Sequence, residues 1–184
     1  SRTIMTLGTE KHKNFVKNSL DFSEIGAVAL EDFSHSSDIN HLQAKAEYNI
    51  QIKEFVFNTP TTSSMKIQVR NLDQADYCIF WAQLFIKGKG YGIHPFLIPL
   101  KNKEKKEYLP GIKIFDFGPK TSENAIFDGV LRLENYKASY DCLLDKYCSI
   151  NEKGEYKSSF KYTEQRLAFF MILMSPTKLL TSYL

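Results

Sequence analysis

Length, charge and cysteine spacing exclude several classes of protein. The chain has 184 residues, which suffices for one domain with a proper core and is too short for two ordinary ones. Its net charge of +3 comes from interspersed acids and bases, which argues against a nucleic-acid binder, because phosphate contact needs a concentrated basic face. The three cysteines have no paired spacing, so packed, reduced thiols are favoured over a zinc site. No apolar run reaches the length of a membrane span.

The amino-terminal part predicts a helix followed by strands. From Thr9, a suitable N-cap, to Leu20, charged and apolar residues recur at helical spacing. The small apolar run at residues 26–30 then predicts a strand. Residues 44–52 alternate between apolar and polar, which by periodicity alone predicts one long half-buried strand.

The centre of the chain predicts a hairpin of buried strands. Residues 73–86 and 90–100 are two apolar runs rich in aromatic and branched residues. The glycine-rich segment between them, residues 88–92, lacks the Lys-Ser/Thr of a phosphate-binding loop and leads into a strand, so a hairpin turn is favoured. His94 lies between apolar residues, which favours a hydrogen-bonded core or turn residue over a ligand.

The remaining segments complete a mainly β protein with flanking α-helices, an α+β class. Further strands are predicted at residues 112–115 and 125–134, and the pattern becomes helical from about residue 160 to residue 184, with a break at Pro176. The outline is a helix, six or so antiparallel strands and a helix. His35 and His41 lie in a Ser/Asp-rich segment, but no Gly-x-Ser-x-Gly elbow accompanies them, so a loop is favoured over a hydrolase triad.

Several short motifs, in one order and spacing, resemble the acyl-CoA oxidases, flavoproteins of the acyl-CoA dehydrogenase superfamily. The resemblance extends from about residue 4 to residue 144 and more weakly to residue 166. The motifs include Leu7-Gly8-Thr9-Glu10-Lys11-His12, Asn58-Thr59-Pro60-Thr61, Ala82-Gln83-Leu84, Tyr91-Gly92-Ile93-His94-Pro95-Phe96, Leu109-Pro110-Gly111-Ile112, Asp116-Phe117-Gly118-Pro119-Lys120 and Asp128-Gly129.

This resemblance implies the family's middle domain, an antiparallel, barrel-like unit, here at residues 26–145. Residues 1–25 would be a remnant of the amino-terminal helical domain, and residues 146–184 the start of the carboxyl-terminal helical region. The resemblance also implies a hairpin turn where periodicity alone gives one strand, and we prefer the turn, since Asn49 tolerates one.

In the family, flavin adenine dinucleotide (FAD) lies against the middle domain, and a glutamate of the carboxyl-terminal helical domain is the catalytic base. Nearly all of that domain is absent here, so no catalytic residue is assigned, and no metal site is expected. The family's Thr-Glu pair corresponds to Glu31-Asp32 here, and its Gly-His-Gly-Ser turn ends at Ser37. Its Trp-Trp-Pro-Gly-Gly run corresponds to residues 67–71, which places Arg70 and Asn71 at the glycines.

The changed residues predict a vestigial flavin pocket at Glu31, Ser37, Arg70 and Asn71. A carboxylate opposes the negative charge that a flavin gains on accepting a hydride, and an arginine occupies volume that the ring needs. We therefore expect no cofactor, and we predict that Glu31 and Arg70 approach each other and fill the site.

Three functions remain open from the sequence. The first is a non-catalytic, acyl-CoA-oxidase-like accessory subunit, held by other protein subunits of a larger mitochondrial assembly. The alternative is a fragment of an active FAD-dependent, peroxisomal acyl-CoA oxidase that would also bind acyl-CoA, and a third is a module that binds acyl-CoA without reacting. The chain starts at Ser1 and not at methionine, which is compatible with a removed leader or a longer parent chain.

Overall fold

The computed structural model describes residues 2–35, 38–121, 123–151 and 153–170. Two short helices precede the strands, and a helix at residues 163–170 follows them. The helices are α1 (Arg2–Leu7) and α2 (Lys13–Leu20), and the strands are β1 (Gly26–Ala29), β2 (Lys45–Asn49), β3 (Glu54–Asn58), β4 (Lys66–Arg70), β5 (Tyr77–Ile86), β6 (Lys89–Pro99), β7 (Ile112–Asp116), β8 (Asp128–Leu133), β9 (Tyr136–Ser139), β10 (Cys148–Ile150) and β11 (Tyr156–Ser158).

The predicted central hairpin is confirmed, and the main sheet is assembled on it. β5 pairs with β6 along its length in antiparallel register. The other edge of β5 is shared, since β1 pairs with its first half and β2 with its second half, both in parallel. β3 and β9 extend this sheet, whereas β4, β8 and β7 form a second sheet. The mainly β, barrel-like class is confirmed, although two of the described pairings are parallel.

β5 is buried on both faces, which explains its continuous apolar sequence. One face contributes Cys78, Phe80 and Leu84 to the core enclosed by the strands. The other face contributes Ile79 and Trp81 to a second core, which α1 and the carboxyl-terminal helix cover. The domain therefore has two cores on opposite sides of one strand.

The long strand predicted by periodicity at residues 44–52 is wrong, and the turn implied by the resemblance is correct. β2 ends at Asn49, whose Oδ1 accepts hydrogen bonds from the backbone N–H groups of Gln51 and Ile52 at 3.0 and 3.4 Å. Lys53 has a φ of 52°, and β3 then returns antiparallel to β2. Asparagine closes this turn because its side chain replaces a backbone acceptor.

The predicted amino-terminal helix is present from Thr9, but it begins with one 3-10 turn before α2. α1, before it, is a helix that the sequence pattern did not predict. The carboxyl-terminal helix begins at residue 163, and the predicted break at Pro176 lies outside the described residues. The strand predicted at residues 125–134 is β8, and its pairing with β4 shifts register between Lys66 and Val69.

A polar cluster joins the amino-terminal helices to residues 141–145. Lys11 Nζ lies 2.7 Å from an Asp145 carboxylate oxygen and 3.2 Å from Asp141 Oδ1. Thr9 Oγ1 donates a hydrogen bond to Asp145, and His12 Nε2 lies 2.9 Å from the Asp141 carbonyl oxygen. His12 Nδ1 accepts from the Thr9 N–H, so the ring is neutral with its proton on Nε2. Burial lowers the His12 pKa accordingly.

A second polar cluster fastens the carboxyl-terminal helix to β6. Gly92 has a φ of 78°, and a bulge leaves Tyr91 without a partner on β5. The freed carbonyl of Tyr91 accepts a hydrogen bond from Arg166 Nη2 at 2.5 Å. A Cβ at position 92 would lie 2.5 Å from the same nitrogen, so glycine provides the space for the guanidinium.

His94 is buried and hydrogen-bonded, as predicted, and its tautomer sets the hydrogen-bond directions in this second cluster. His94 Nδ1 lies 2.9 Å from the Gly92 carbonyl oxygen, which can only accept, so Nδ1 carries the proton. His94 Nε2 therefore accepts from the Tyr156 hydroxyl at 2.9 Å, and that oxygen accepts from Arg166 Nη1 at 2.8 Å. Burial, with the nearby Arg166 charge, lowers the pKa of His94 to about 3.

Candidate functional site

The candidate site lies where β1 ends beside β4. The Ile67 N–H donates to the Glu31 carbonyl oxygen at 3.0 Å, and Asp32 and Lys66 form an antiparallel bridge. The structure thus brings the segment of Glu31 against the strand that ends at Arg70 and leads into Asn71. Ser37 lies outside the described residues.

The predicted ion pair between Glu31 and Arg70 is wrong. Arg70 Nη2 binds Glu123 Oε2 at 2.7 Å, and about half of each of these two side chains is exposed. Glu123 belongs to the loop before β8, and no pattern in the sequence places that loop beside β4. The guanidinium of Arg70 is therefore directed to an acid at the surface.

Asn71 has a backbone conformation that glycine adopts readily. Its φ is 53°, in the left-handed region, and its N–H donates to the Phe127 carbonyl oxygen at 2.8 Å. Asparagine is among the non-glycine residues that adopt this region most readily. A left-handed conformation is therefore present at one of the two positions that correspond to the family's glycines.

A fully buried ion pair between Asp32 and Lys66 forms the base of the site. Lys66 Nζ lies 2.6 Å from Asp32 Oδ1, and both side chains are 0% exposed. The ammonium also donates to the Leu30 carbonyl oxygen at 2.9 Å and lies 5.2 Å from the centre of the Phe80 ring. Burial lowers the pKa of Lys66, and the Asp32 carboxylate opposes that shift.

The sequence reasoning missed this ion pair. A usable signal was present, because Lys66 stands between the apolar residues Met65 and Ile67. A lysine at an inward strand position requires an acidic partner, since an unpaired buried charge is very costly. The partner Asp32 is far away in sequence, so only the tertiary structure identifies it.

The cysteines and histidines offer no further catalytic group among the described residues. All three cysteines are buried and free, as predicted, and burial raises the pKa of Cys78 to about 12. A thiol so hard to ionise is a poor nucleophile at neutral pH. His41 Nδ1 is 2.6 Å from Asp38 in an exposed loop. The described part of the chain contains no metal-ligand cluster.

A groove of about 1040 Å³ opens along α1 and α2. Apolar side chains line it, among them Ile4, Val16 and Leu20, and Lys146 lies on its rim. Glu31, Arg70 and Asn71 do not line this groove. None of the described helices has the length and apolar character that a membrane crossing needs.

Comparison with known proteins identifies relatives of one kind. No family model matches the chain. Peroxisomal acyl-coenzyme A oxidase 1 of Homo sapiens is 31% identical over 156 residues, which are 84% of this chain and 24% of that protein. The corresponding protein of Pongo abelii is 33% identical over 156 residues, which are again 84% of this chain and 24% of that protein. The chain thus spans about a quarter of the length of these relatives.

Solved structures agree with the sequence comparison. Acyl-CoA oxidase-1 of Caenorhabditis elegans, complexed with FAD and ATP, matches with a TM-score of 0.82 and 29% identity, over 85% of this chain and 24% of that one. Acyl-CoA oxidase 1 of Arabidopsis thaliana matches with a TM-score of 0.83 and 27% identity, over 89% and 26%. The fold, the motifs and both comparisons agree, and the chain belongs to the acyl-CoA oxidase and acyl-CoA dehydrogenase superfamily, of which it contains the middle β region.

Proposed function

We propose that this chain is the middle, flavin-facing part of an FAD-dependent acyl-CoA oxidase. The main support is that acyl-CoA oxidases match 84% of the chain both in sequence and in structure. Because the chain is about a quarter of its relatives' length, the activity belongs to a longer protein than the residues described.

The described residues fit FAD better in their backbone than in their side chains. Glu123 holds the Arg70 guanidinium in a half-exposed ion pair, which is compatible with a flavin beside the neighbouring backbone. Asn71 has a left-handed backbone conformation of the kind that glycine adopts, but unlike glycine it adds a side chain there. Glu31 fits least, because its carboxylate replaces a neutral hydroxyl. FAD, when bound, supplies the hydride acceptor for oxidation of the acyl chain.

The residues of this chain would hold and orient the cofactor without taking part in proton transfer. The backbone of β4 and Asn71 would form one wall, and the segment around Glu31 the other. An ionised Glu31 would make reduction of the flavin less favourable, since two negative charges in a site of low polarity repel each other. We assign no catalytic residue to this chain. We propose residues 26–145 as the β-domain, with helical-domain remnants at residues 1–25 and 146–184.

The non-catalytic accessory subunit remains the second candidate. The substitutions at Glu31 and Arg70 favour it, because the family's neutral hydroxyl and glycine have both become charged residues. In that case other protein subunits would cover the exposed apolar side chains, which include Phe22 at 87% and Leu20 at 64% exposure. We favour the peroxisome over the mitochondrion, because several relatives are named peroxisomal.

The flavin content of the purified full-length protein decides between the two candidates. An oxidase should be yellow, with about one FAD per chain, and should release hydrogen peroxide when given a fatty acyl-CoA. A colourless protein that takes up no added FAD would reject the oxidase proposal. A colourless protein that still binds acyl-CoA in a titration would support the module that binds without reacting.

A further inference from the structure

The buried Asp32–Lys66 ion pair joins three segments of the chain. Lys66 begins β4, and its ammonium binds both the Asp32 carboxylate and the Leu30 carbonyl oxygen at the end of β1. The second carboxylate oxygen of Asp32 accepts the N–H of Gln43 at 2.6 Å and that of Ala44 at 3.2 Å. Asp32 thereby closes the base of the loop that runs from β1 to β2.

Two of these segments carry three of the positions that we propose face the flavin. Glu31 immediately precedes Asp32, whereas Arg70 and Asn71 lie at the end of the strand that Lys66 begins. The Ile67 N–H donates to the Glu31 carbonyl oxygen at 3.0 Å, next to the ion pair. The ion pair therefore joins the two segments that carry the proposed site.

Stability alone is a weak explanation for an ion pair of this kind. Removing two charges from water costs several kcal/mol per ion, and apolar side chains of similar volume often replace a buried pair without loss of stability. A carboxylate that accepts two backbone N–H groups and one ammonium does fix the positions of the groups that it binds. Its geometry thus specifies where the chain segments lie.

We propose that the Asp32–Lys66 ion pair is a positioning element that holds the Glu31 segment and the β1–β2 loop at a fixed spacing from β4. The two residues do not touch the cofactor. They act through the backbone of Glu31, Ile67 and Gln43. The link to flavin binding rests on the proposed function, whereas the spacing of the segments does not.

The test compares the double variant Asp32→Asn/Lys66→Met with the wild-type full-length protein. The matched control is Lys113→Met/Glu134→Gln, which removes an exposed ion pair of 2.8 Å on the outer edge of the second sheet. Hydrogen exchange of the Ile67 and Gln43 amides, global stability and the dissociation constant for FAD are measured for each protein.

We expect the double variant to keep most of its global stability, because no charge is left unpaired. The Ile67 and Gln43 amides should nevertheless exchange at least about tenfold faster, since Asp32 and Lys66 no longer tie their segments together, although backbone hydrogen bonds such as that from the Phe33 N–H to the Met65 carbonyl oxygen remain. FAD should bind at least about tenfold more weakly and with an altered absorbance spectrum. The control should match the wild type in all three measurements.

Unchanged exchange of both amides in the double variant would overturn the proposal. If that variant does not fold, Asp32→Leu/Lys66→Met replaces it, because it also leaves no buried charge unpaired and removes the acceptor of the Gln43 and Ala44 N–H groups. A wild-type protein that binds no FAD rejects the proposed function, and the exchange of the two amides still decides the positioning role. Weaker FAD binding with unchanged exchange also counts against it.

Discussion

The hydroxyl group of Tyr156 should contribute strongly to the attachment of the carboxyl-terminal helix. It accepts a hydrogen bond from Arg166 Nη1 at 2.8 Å and donates one to His94 Nε2 at 2.9 Å. Arg166 is 4% exposed, and its Nε is buried without a hydrogen-bond partner. In Tyr156→Phe the buried guanidinium therefore loses one of the two hydrogen bonds that it makes.

The expected loss follows from the two hydrogen bonds. A hydrogen bond to a charged group contributes about 1.5–3 kcal/mol and a neutral one about 1 kcal/mol, so Tyr156→Phe should lower the unfolding free energy by about 3 kcal/mol. For a chain of this size that corresponds to a fall in Tm of about 6–12 °C.

Urea denaturation followed by the fluorescence of Trp81 is a suitable assay. Trp81, in β5, is the single tryptophan of the chain and is 2% exposed. Its ring centre lies 5.7 Å from that of Phe170, which belongs to the carboxyl-terminal helix. Tyr147→Phe is the matched control, because the Tyr147 ring packs against Phe160 and Phe169 in the same region. A loss below about 1 kcal/mol, or one equal to the control, would refute the reasoning.

Three other changes test the charges and the space in the core. The pKa of His94 is lowered to about 3 in the folded protein, so between pH 6.5 and pH 3 only the unfolded chain takes up this proton. The unfolding free energy should therefore fall by up to about 1.4 kcal/mol for each pH unit in that range, as denaturation measured at a series of acidic pH values would show. A His94→Gln variant that keeps the same slope would contradict this. Lys66→Met should cost about 3–5 kcal/mol in urea denaturation, because Asp32 stays buried without its counter-ion, and a loss below about 1 kcal/mol would be inconsistent with the burial. Gly92→Ala should destabilise by more than about 1 kcal/mol, because its Cβ meets Arg166 and its φ is positive, whereas Gly88→Ala, in open space, should lose less.

The sequence predicted well the elements whose pattern is local. The hairpin of β5 and β6 was found because both faces of β5 are buried, which gives a continuous apolar run. The turn after Asn49 was not visible in periodicity, because the apolar–polar alternation of β2 continues through the turn as far as Ile52. The resemblance to the acyl-CoA oxidases located that turn correctly.

The candidate site was only partly predictable. The positions Glu31, Arg70 and Asn71 were identified from the resemblance, and the structure places their segments side by side. Their charge partners were not predictable, since Arg70 pairs with Glu123, which lies 53 residues away in the chain. An ion pair between distant residues leaves no periodic signal in a single sequence.

The sequence by itself determined the family, the mainly β class and the central hairpin. These features depend on local patterns of apolar residues, glycines and prolines, and on short motifs in a fixed order. The tertiary structure alone decided which charges meet, namely Asp32 with Lys66 and Arg70 with Glu123. The physical reason is that burial and pairing of charges depend on which distant strands become neighbours, and the composition of one strand does not specify its neighbour.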